Sequence, residues 1–251
     1  MVWVHWNEKS WIDALDEIIN DLVIVKWKVY FIYANTKAIE KNVRFIEKNL
    51  NRCFIKNISS DTYEGERAIE LMNIFDKSDY LLDIHNTESL NSSLEVLITT
   101  NTNYSKYFEF DKVVTNIDDI SKWGSDWYMD SIWKKWFCIE CWSLYSWEKF
   151  RWKYIAKNSI INFLKVLWNI YGEPIIYNKK IQIIKMYYLY LTKTIDFKLY
   201  KNFSDFDEIK LWEIIAYDWW KEIKCDKDSI IIFSHNRNKI WEEWFYLGYK
   251  L

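Results

Sequence analysis

The chain has 251 residues, half of them apolar and 28% charged, which is typical of a folded globular protein. Its net charge of −2 excludes an extended basic surface of the kind that binds nucleic acid, and no stretch approaches the ~20 apolar residues of a membrane span. Four scattered cysteines exclude a disulfide framework. Since apolar residues begin at Val2, we expect no signal peptide and a cytoplasmic location.

Short apolar runs alternate with amphipathic stretches through the first 174 residues. Apolar residues at helical spacing predict helices, and β-branched or aromatic runs predict buried strands. In chain order the predicted elements are strand Met1–Val4, helix Ser10–Leu22 with Ser10 as its N-cap, strand Lys28–Tyr33, helix Glu66–Asp76, strand Tyr80–Ile84, strand Phe137–Glu140 and helix Ser159–Leu167. This alternation predicts an α/β fold with a largely parallel sheet.

The pattern changes after Glu173-Pro174. Short β-type runs separated by polar turns follow, and no helical spacing is visible. These runs are Ile181–Thr192, Leu211–Ala216, Ser229–Phe233 and Phe245–Leu247. The sequence therefore predicts an α/β domain over 1–174 and a small all-β domain over 175–251.

Two histidines stand near the ends of predicted strands. His5 and Glu8 are three residues apart at a strand-to-helix turn, and His85 closes the run Leu82–His85. Two histidines and one glutamate form a catalytic zinc set with a fourth position open for water. Ligands also gather at the carboxyl ends of strands in an open α/β sheet. Each histidine taken alone is explained equally well as an ordinary loop residue.

Five sequence blocks extend the pattern over nearly the whole chain. They are HWNEKSWIDAL (5–15), ANTKAIEKNVRFIEKNLNRCF (34–54), LLDIHNT (81–87), CIECWS (138–143) and IWEEWFYLG (240–248). In this order they resemble the blocks H-G-N-E, N-P-x-A with R-[YF] and D-L-N-R-x-F, D-[LI]-H-x-T, I-E-x-G and G-[DE]-E-x-x-Y-x-G of the succinylglutamate desuccinylase and aspartoacylase family. The family is related to the zinc carboxypeptidases. The resemblance implies their mixed, largely parallel sheet flanked by helices, with 1–174 as the catalytic domain.

The resemblance also implies a metal site and a reaction. It makes His5, Glu8 and His85 the ligands of one zinc ion, Glu140 the catalytic glutamate, and Arg44 the arginine that polarises the scissile carbonyl. Zinc lowers the pKa of a bound water towards ~7, and a carboxylate can take its proton and later protonate the leaving amine. We therefore expect a zinc-dependent amidohydrolase that cleaves the amide bond of a small N-acyl amino acid.

Three further residues match substrate-binding positions. Asn51 and Arg52 match the pair that grips the substrate carboxylate, for which the planar guanidinium fork is well suited, and Tyr246 matches a substrate-contacting tyrosine. Two positions depart from the family. Asn49 stands where the family has Asp, a change that matters if that Asp supports a metal-binding histidine. Asp130 replaces an arginine that in aspartoacylase reads the side-chain carboxylate, so N-acetylaspartate is not the expected substrate.

The composition contains one anomaly, since 17 Trp stand against 4 Gly and one Pro. At the usual ~7% glycine, a chain this long carries about 18. Tryptophan occupies family glycine positions at Trp3, Trp6, Trp11, Trp142 and Trp241, with Trp27 a further candidate. Trp219-Trp220 lies between two strand-like runs, where Gly-Gly suits a hairpin turn.

One hypothesis is that the gene comes from a lineage that reads UGA as glycine, here translated as tryptophan. A second is a genuine Trp-rich binding surface, and a third is real tryptophan in an inactive enzyme. For function, the alternatives to a deacylase are a carboxypeptidase-like peptidase on the same fold and a non-catalytic binding protein. The expected partner is a small-molecule substrate, with no nucleic acid or membrane, and the sequence does not predict the oligomeric state.

Overall fold

Helices and strands alternate along most of the chain. A computed structural model describes residues 10–87, 95–143, 149–234 and 243–251. Its helices are α1 Ser10–Ile19, α2 Thr36–Lys41, α3 Tyr63–Phe75, α4 Ile117–Ile120, α5 Ser125–Ser131 and α6 Lys149–Val166. Its strands are β1 Tyr80–Thr87, β2 Glu95–Ile98, β3 Lys112–Thr115, β4 Lys135–Ser143, β5 Gln182–Leu191, β6 Phe197–Leu199, β7 Glu208–Ile209, β8 Ile214–Asp218, β9 Lys221–Lys224, β10 Ser229–Ile232 and β11 Glu243–Lys250.

Eight strands form one sheet in the order β1-β4-β2-β3-β5-β11-β10-β7. The pairs β1–β4, β2–β3 and β3–β5 are parallel, whereas β2–β4 and the pairs involving β11, β10 and β7 are antiparallel. A smaller antiparallel sheet has the order β6-β8-β9. The protein is thus a mixed α/β fold with a second small sheet, which confirms the predicted class.

Helices cover both faces of the large sheet. Successive strand residues point to opposite faces, and in β4 Trp136 and Cys138 join one buried cluster while Phe137 and Ile139 join another. The first cluster includes Leu71 and Phe75 from α3 and Tyr128 and Met129 from α5. The second includes Leu15 and Ile18 from α1 and Ile155, Ile160 and Phe163 from α6. Within the described residues, no helix is long and apolar enough to cross a membrane.

Most predicted elements of the first 174 residues are confirmed with shifted ends. The predicted helix Glu66–Asp76 overlaps α3 up to Phe75, and the predicted strands Tyr80–Ile84 and Phe137–Glu140 lie in β1 and β4. Ser10 is the first residue of α1 rather than its cap, a one-residue difference that helix ends commonly show. The predicted strand Met1–Val4 lies outside the described residues.

One predicted strand is wrong. Residues 28–33 have no strand assignment, although Val29, Phe31 and Tyr33 pack partly buried against the core cluster that contains α1 and α6. Alternating apolar side chains provide that packing without the backbone ladder that defines a strand. The sequence also missed β2 and β3, which have four residues each.

Three of the four C-terminal β-type runs are confirmed as strands, and the fourth, Leu211–Ala216, overlaps β8 only from Ile214 onward. Ile181–Thr192 contains β5, Ser229–Phe233 contains β10, and Phe245–Leu247 lies in β11. Strands β5, β11, β10 and β7 continue the large sheet, so residues on both sides of position 174 share it. The two-domain division with its boundary at 174/175 stays a prediction.

Tryptophan occupies left-handed backbone positions unusually often. Among the described residues ten non-glycine residues have positive φ, and five of these are tryptophans with φ of 59–66°: Trp27, Trp133, Trp168, Trp212 and Trp219. The left-handed conformation costs an ordinary L-residue roughly 1–2 kcal/mol, which is why glycine and asparagine dominate there. Trp219-Trp220 forms the turn between β8 and β9, as predicted, with Asp218 paired to Lys221.

Two of these tryptophans close Schellman motifs, the helix ends that favour glycine. After α5, the Trp133 N–H donates to Asp130 C=O at 2.9 Å and the Lys134 N–H to Met129 C=O at 2.9 Å. After α6, Trp168 donates to Lys165 C=O at 3.0 Å and Asn169 to Leu164 C=O at 2.8 Å. Trp133 is 95% exposed and Trp168 66% exposed, so their indoles gain little burial to offset the strain.

Replacing Trp133 with glycine should therefore stabilise the protein. We expect Trp133→Gly to raise the free energy of unfolding by about 1 kcal/mol and the Tm by roughly 2–4 °C, because the left-handed strain disappears. Thermal unfolding measures this change. Trp133→Ala is the matched control, since it removes the indole but keeps the Cβ. A gain as large with alanine as with glycine would contradict the strain argument.

Candidate active site

A buried histidine and a carboxylate lie together at the carboxyl end of β1. Asp83 and His85 are two residues apart on one strand and share a face of the sheet, and each is about 95% buried or more. His85 Nε2 lies 3.2 Å from Asp83 Oδ2. A carboxylate in this position fixes the orientation of the imidazole ring that it contacts.

Asp83 is itself held from two sides. The Ser125 hydroxyl donates to Asp83 Oδ2 at 2.5 Å, and the Ile84 N–H lies 3.0 Å from Oδ1. Ser125 begins α5 directly after Gly124, where a Cβ would come within 2.2 Å of Asp126 Oδ1.

Glu140 lies beside His85 on the neighbouring strand. The two residues are directly paired in the parallel β1–β4 register, so their side chains point to the same face of the sheet. Glu140 is half-buried near the carboxyl end of β4. The structure thus brings together the predicted metal ligand and the predicted catalytic glutamate at the edge where α/β folds bind ligands.

The other two residues of the predicted metal set, His5 and Glu8, lie outside the described residues. In the parts of the chain that the structure describes, no three His, Cys, Asp or Glu side chains are grouped so as to hold a metal ion. The metal set of His5, Glu8 and His85 stays a prediction.

Asn51 connects the predicted substrate-binding turn to this site. It lies in a 3₁₀ turn, Leu50–Arg52, and its Oδ1 accepts from the Ser125 N–H at 3.3 Å. The side chain of Asn49 caps the turn by accepting from the Asn51 N–H at 3.0 Å. The carboxylate next to His85 is that of Asp83, and an asparagine at position 49 serves the cap as well as an aspartate would.

Arg52 forms an ion pair with Glu243, which precedes Tyr246 by three residues in β11. Arg52 Nη2 donates to Glu243 Oε2 at 2.5 Å, Nη1 donates to Asn51 C=O at 2.8 Å, and the guanidinium lies 5.5 Å from the centre of the Trp123 ring. Tyr246 follows Glu243 in β11 and is buried. Burial and the nearby Glu243 carboxylate raise the pKa of Tyr246 well above its usual value, so its hydroxyl keeps its proton.

The remaining predicted residues lie around these groups. Arg44 is half-buried in the loop between α2 and the 3₁₀ turn. The hydroxyls of Tyr246 and Ser121 are 2.6 Å apart, which joins β11 to the end of α4. Asp130 is exposed near the end of α5. The roles predicted for Arg44, Asn51, Arg52 and Tyr246 stay predictions.

Sequence reasoning missed three residues of this neighbourhood. Asp83 and Glu243 both lie within the motif blocks, as the Asp of D-I-H and a Glu of the C-terminal block, so their position beside predicted site residues was the available signal. Ser125 lies in no block and reaches Asp83 from 42 residues away. Only the folded chain brings it to the site.

Asp118 is a buried carboxylate on the same side of the molecule. It is 97% buried at the start of α4, and its Oδ1 has no hydrogen-bond partner among the described residues. Burial, with added repulsion from Asp130, Asp126 and Asp119, raises the pKa of Asp118 to about 7. The group is therefore protonated in the folded state through the mildly acidic range.

The fold and the strand-end position of these residues define an α/β protein with a polar site at the carboxyl ends of β1 and β4. A sequence profile of the succinylglutamate desuccinylase/aspartoacylase catalytic domain matches residues 5–110. Residues 5–110 of this chain are therefore similar to that catalytic domain.

Curated relatives match shorter segments. Succinylglutamate desuccinylase of Idiomarina loihiensis is 35% identical over 81 residues, covering 30% of this chain and 24% of that protein. The enzyme of the same name from Shewanella frigidimarina is 32% identical over 117 residues, covering 43% of this chain and 32% of that protein. The matches thus span a third or less of these relatives.

Solved structures extend the similarity of fold to the whole chain. Succinylglutamate desuccinylase from Vibrio cholerae superimposes with a TM-score of 0.83 at 16% identity, covering 99% of this chain and 79% of that one. Murine aminoacylase 3 has a TM-score of 0.69 at 15% identity, covering 98% of this chain and 92% of that one. The fold that this chain shares with these structures therefore includes the C-terminal strands described above.

The raised pKa of Asp118 predicts a pH-dependent stability. A carboxyl group titrating near 7 in the folded state and near 3.8 in the unfolded state makes stability fall as pH rises through that window. Asp118→Asn is neutral throughout. We expect it to match the wild type near pH 4 and to exceed it by roughly 1–3 kcal/mol at pH 8.

Urea unfolding at both pH values measures this difference. Asp61→Asn is the control, because Asp61 is exposed and is not one of the carboxylates that raise the pKa of Asp118. An advantage of Asp118→Asn that is equal at pH 4 and pH 8 would show that Asp118 does not titrate in this window.

Proposed function

We propose that the chain is a zinc-dependent deacylase that hydrolyses the amide bond of an N-acyl amino acid. The observation that carries the proposal is the pairing of His85 and Glu140 on adjacent parallel strands, with His85 oriented by the buried Asp83. Together with the family's catalytic-domain match over residues 5–110, this arrangement supports a hydrolytic site at the strand ends.

The residues present fit a zinc site on the evidence of His85. A buried imidazole whose Nε2 faces a carboxylate is the usual state of a zinc-binding histidine. His5 and Glu8 would supply the other two ligands. When bound, zinc would activate a water molecule and polarise the substrate carbonyl.

Glu140 is the proposed general base and acid. It lies beside His85, where a carboxylate can accept a proton from the attacking water and deliver it to the leaving nitrogen. Arg44 would stabilise the negative charge that develops on the carbonyl oxygen, because its guanidinium stays protonated at all working pH values.

Arg52 and Asn51 are the proposed carboxylate-binding pair. Arg52 has five N–H donors, of which the contacts with Glu243 and Asn51 C=O use two. The Arg52 side chain is 39% exposed, so further donors can face a substrate carboxylate. Glu243 and the Trp123 ring hold the guanidinium in place.

A peptidase is the nearest alternative on the same fold. The pair of Asn51 and Arg52 would then bind the C-terminal carboxylate of a peptide rather than that of an acyl amino acid. Assays with N-succinyl amino acids, N-acetyl amino acids and short peptides distinguish the two. Hydrolysis of peptides without any turnover of small acyl amino acids would favour the peptidase.

A non-catalytic binding protein is the alternative from a different class. Trp27, Trp133 and Trp168 line one depression, together with Tyr80 and Tyr104. An aromatic depression of this kind could bind a ligand by stacking. It lies at the amino-terminal ends of β1 and β4, away from His85 and Glu140.

Glu140→Gln tests the proposed general base. Since the amide cannot accept a proton, we expect kcat to fall by ~10²–10⁴-fold while zinc content is unchanged. Steady-state kinetics on the best substrate and metal analysis of the same sample measure both. Glu222→Gln, an exposed change on β9, is the control and should retain full activity. A Glu140→Gln protein with undiminished turnover would remove Glu140 from the mechanism.

His85→Ala separates an enzyme from a binding protein. We expect the purified chain to hold one zinc ion and His85→Ala to lose it, because one of three protein ligands is gone. Elemental analysis after dialysis measures the ratio of zinc to protein. A wild-type chain that takes up no zinc, although His5, Glu8 and His85 are intact, would favour the binding protein.

A further inference from the structure

The loop that carries Arg44 has little regular structure of its own. It connects α2 to the 3₁₀ turn Leu50–Arg52, which carries the proposed carboxylate-binding pair. A charged side chain on such a loop needs a fixed backbone to act at a defined place. The source of that rigidity is a fully buried side chain from a different element.

Glu64, in the first turn of α3, is fully buried and faces this loop. Its Oε1 accepts from the Ile46 N–H at 2.6 Å and from Asn35 Nδ2 at 3.3 Å. Its Oε2 accepts from the Glu47 N–H at 3.1 Å and the Lys48 N–H at 3.2 Å. Three consecutive backbone amides of the Arg44 loop are thus bound by one carboxylate.

The loop binds α3 in return. Glu47 Oε2 accepts from the Tyr63 N–H at 2.6 Å, at the helix start. Gly65 lies where a Cβ would come within 2.1 Å of Ser59 C=O, so the start of the helix is closely packed against the segment before it. Glu64 of α3 thus binds the loop, and Glu47 of the loop binds the start of α3. These contacts join the loop to a helix whose apolar residues belong to the core.

We infer that Glu64 is a positioning residue that fixes the loop presenting Arg44 to the substrate carbonyl. The inference rests on the proposed function for the role of Arg44. Glu64 touches no reacting atom and acts through the backbone two to four residues beyond Arg44. A carboxylate suits this position, because the four hydrogen-bond partners of Glu64 among the described residues are all N–H donors.

Glu64→Gln is the isosteric test. Its amide group would place N–H bonds against backbone N–H groups, so the loop would lose part of its support. Native-state hydrogen exchange should show faster exchange at the amides of Ile46, Glu47 and Lys48, whether or not the protein is an enzyme. Glu66→Gln, exposed on the same helical turn, is the matched control and should leave these amides protected.

Activity supplies the second readout. If the loop positions Arg44, Glu64→Gln should lower kcat by ~10–100-fold with KM changed less than about 3-fold. In an Arg44→Ala background the same change should have little further effect, because the group it positions is already absent. A purely structural role would lower the activity of both backgrounds equally.

The outcomes separate this inference from the proposed function. Unchanged exchange at residues 46–48 in Glu64→Gln, or equal losses of kcat in both backgrounds, would overturn the inference. Faster exchange in a protein that hydrolyses no acyl amino acid would instead reject the proposed function and leave the loop contact established. Should Glu64→Gln fail to fold, Glu47→Gln weakens the reciprocal contact from an exposed position and should change exchange and kcat in the same direction.

The backbone supports a second inference independently. We propose that Trp27, Trp133, Trp168, Trp212 and Trp219 are glycines in the protein that the source organism makes, because its gene uses UGA codons read as glycine. All five have left-handed φ angles and are at least 65% exposed, and Trp133 and Trp168 close Schellman motifs. A genuine stacking surface would require exposed indoles but no left-handed backbone beneath them.

The codons and the native protein test this inference together. UGA at these five codons and glycine at these positions, read by tandem mass spectrometry of protein from the source cells, are the expected results. UGG codons, or tryptophan read from the native peptides, would overturn it. The result also bears on the aromatic depression, because three of the residues that line it, Trp27, Trp133 and Trp168, would then be glycine.

Discussion

The Asp83 carboxylate joins three separate parts of the chain in the protein interior. It pairs with His85 on its own strand, accepts from Ser125 at the start of α5 and lies near the 3₁₀ turn through the contact of Ser125 with Asn51. An ionised carboxylate is costly to bury unless its oxygens are bonded. The position of α5 and the orientation of His85 therefore depend on each other.

Carboxylates also hold the proposed substrate-binding residues in position. Glu64 and Glu243 are carboxylates that hold other groups: Glu64 binds the backbone of the Arg44 loop, and Glu243 binds the Arg52 guanidinium. Residues far apart in sequence are brought together in this way, since 191 positions separate Arg52 from Glu243. The predicted substrate residues thus lie on supports from α3 and β11 rather than on independent loops.

Periodicity and motif spacing predicted the parts of this structure that local sequence determines. Strand β1 and helix α3 have clear patterns, and the strand-end positions of His85 and Glu140 follow from their motif blocks. Strands β2 and β3 have four residues each and depend on neighbours for their ladders, so no local signal identified them. The contact between Ser125 and Asp83, and that between Glu64 and the loop, arise only from tertiary packing.

A crystal structure of the zinc-loaded protein, with anomalous diffraction recorded at the zinc edge, would test the proposed metal site at atomic detail. The proposed function predicts an anomalous peak about 2.0–2.1 Å from a ring nitrogen of His85, with His5 and Glu8 as the other protein ligands. Glu140 should lie beside the ion without replacing one of these ligands. Zinc bound at full occupancy elsewhere, with no peak at His85, would contradict the account.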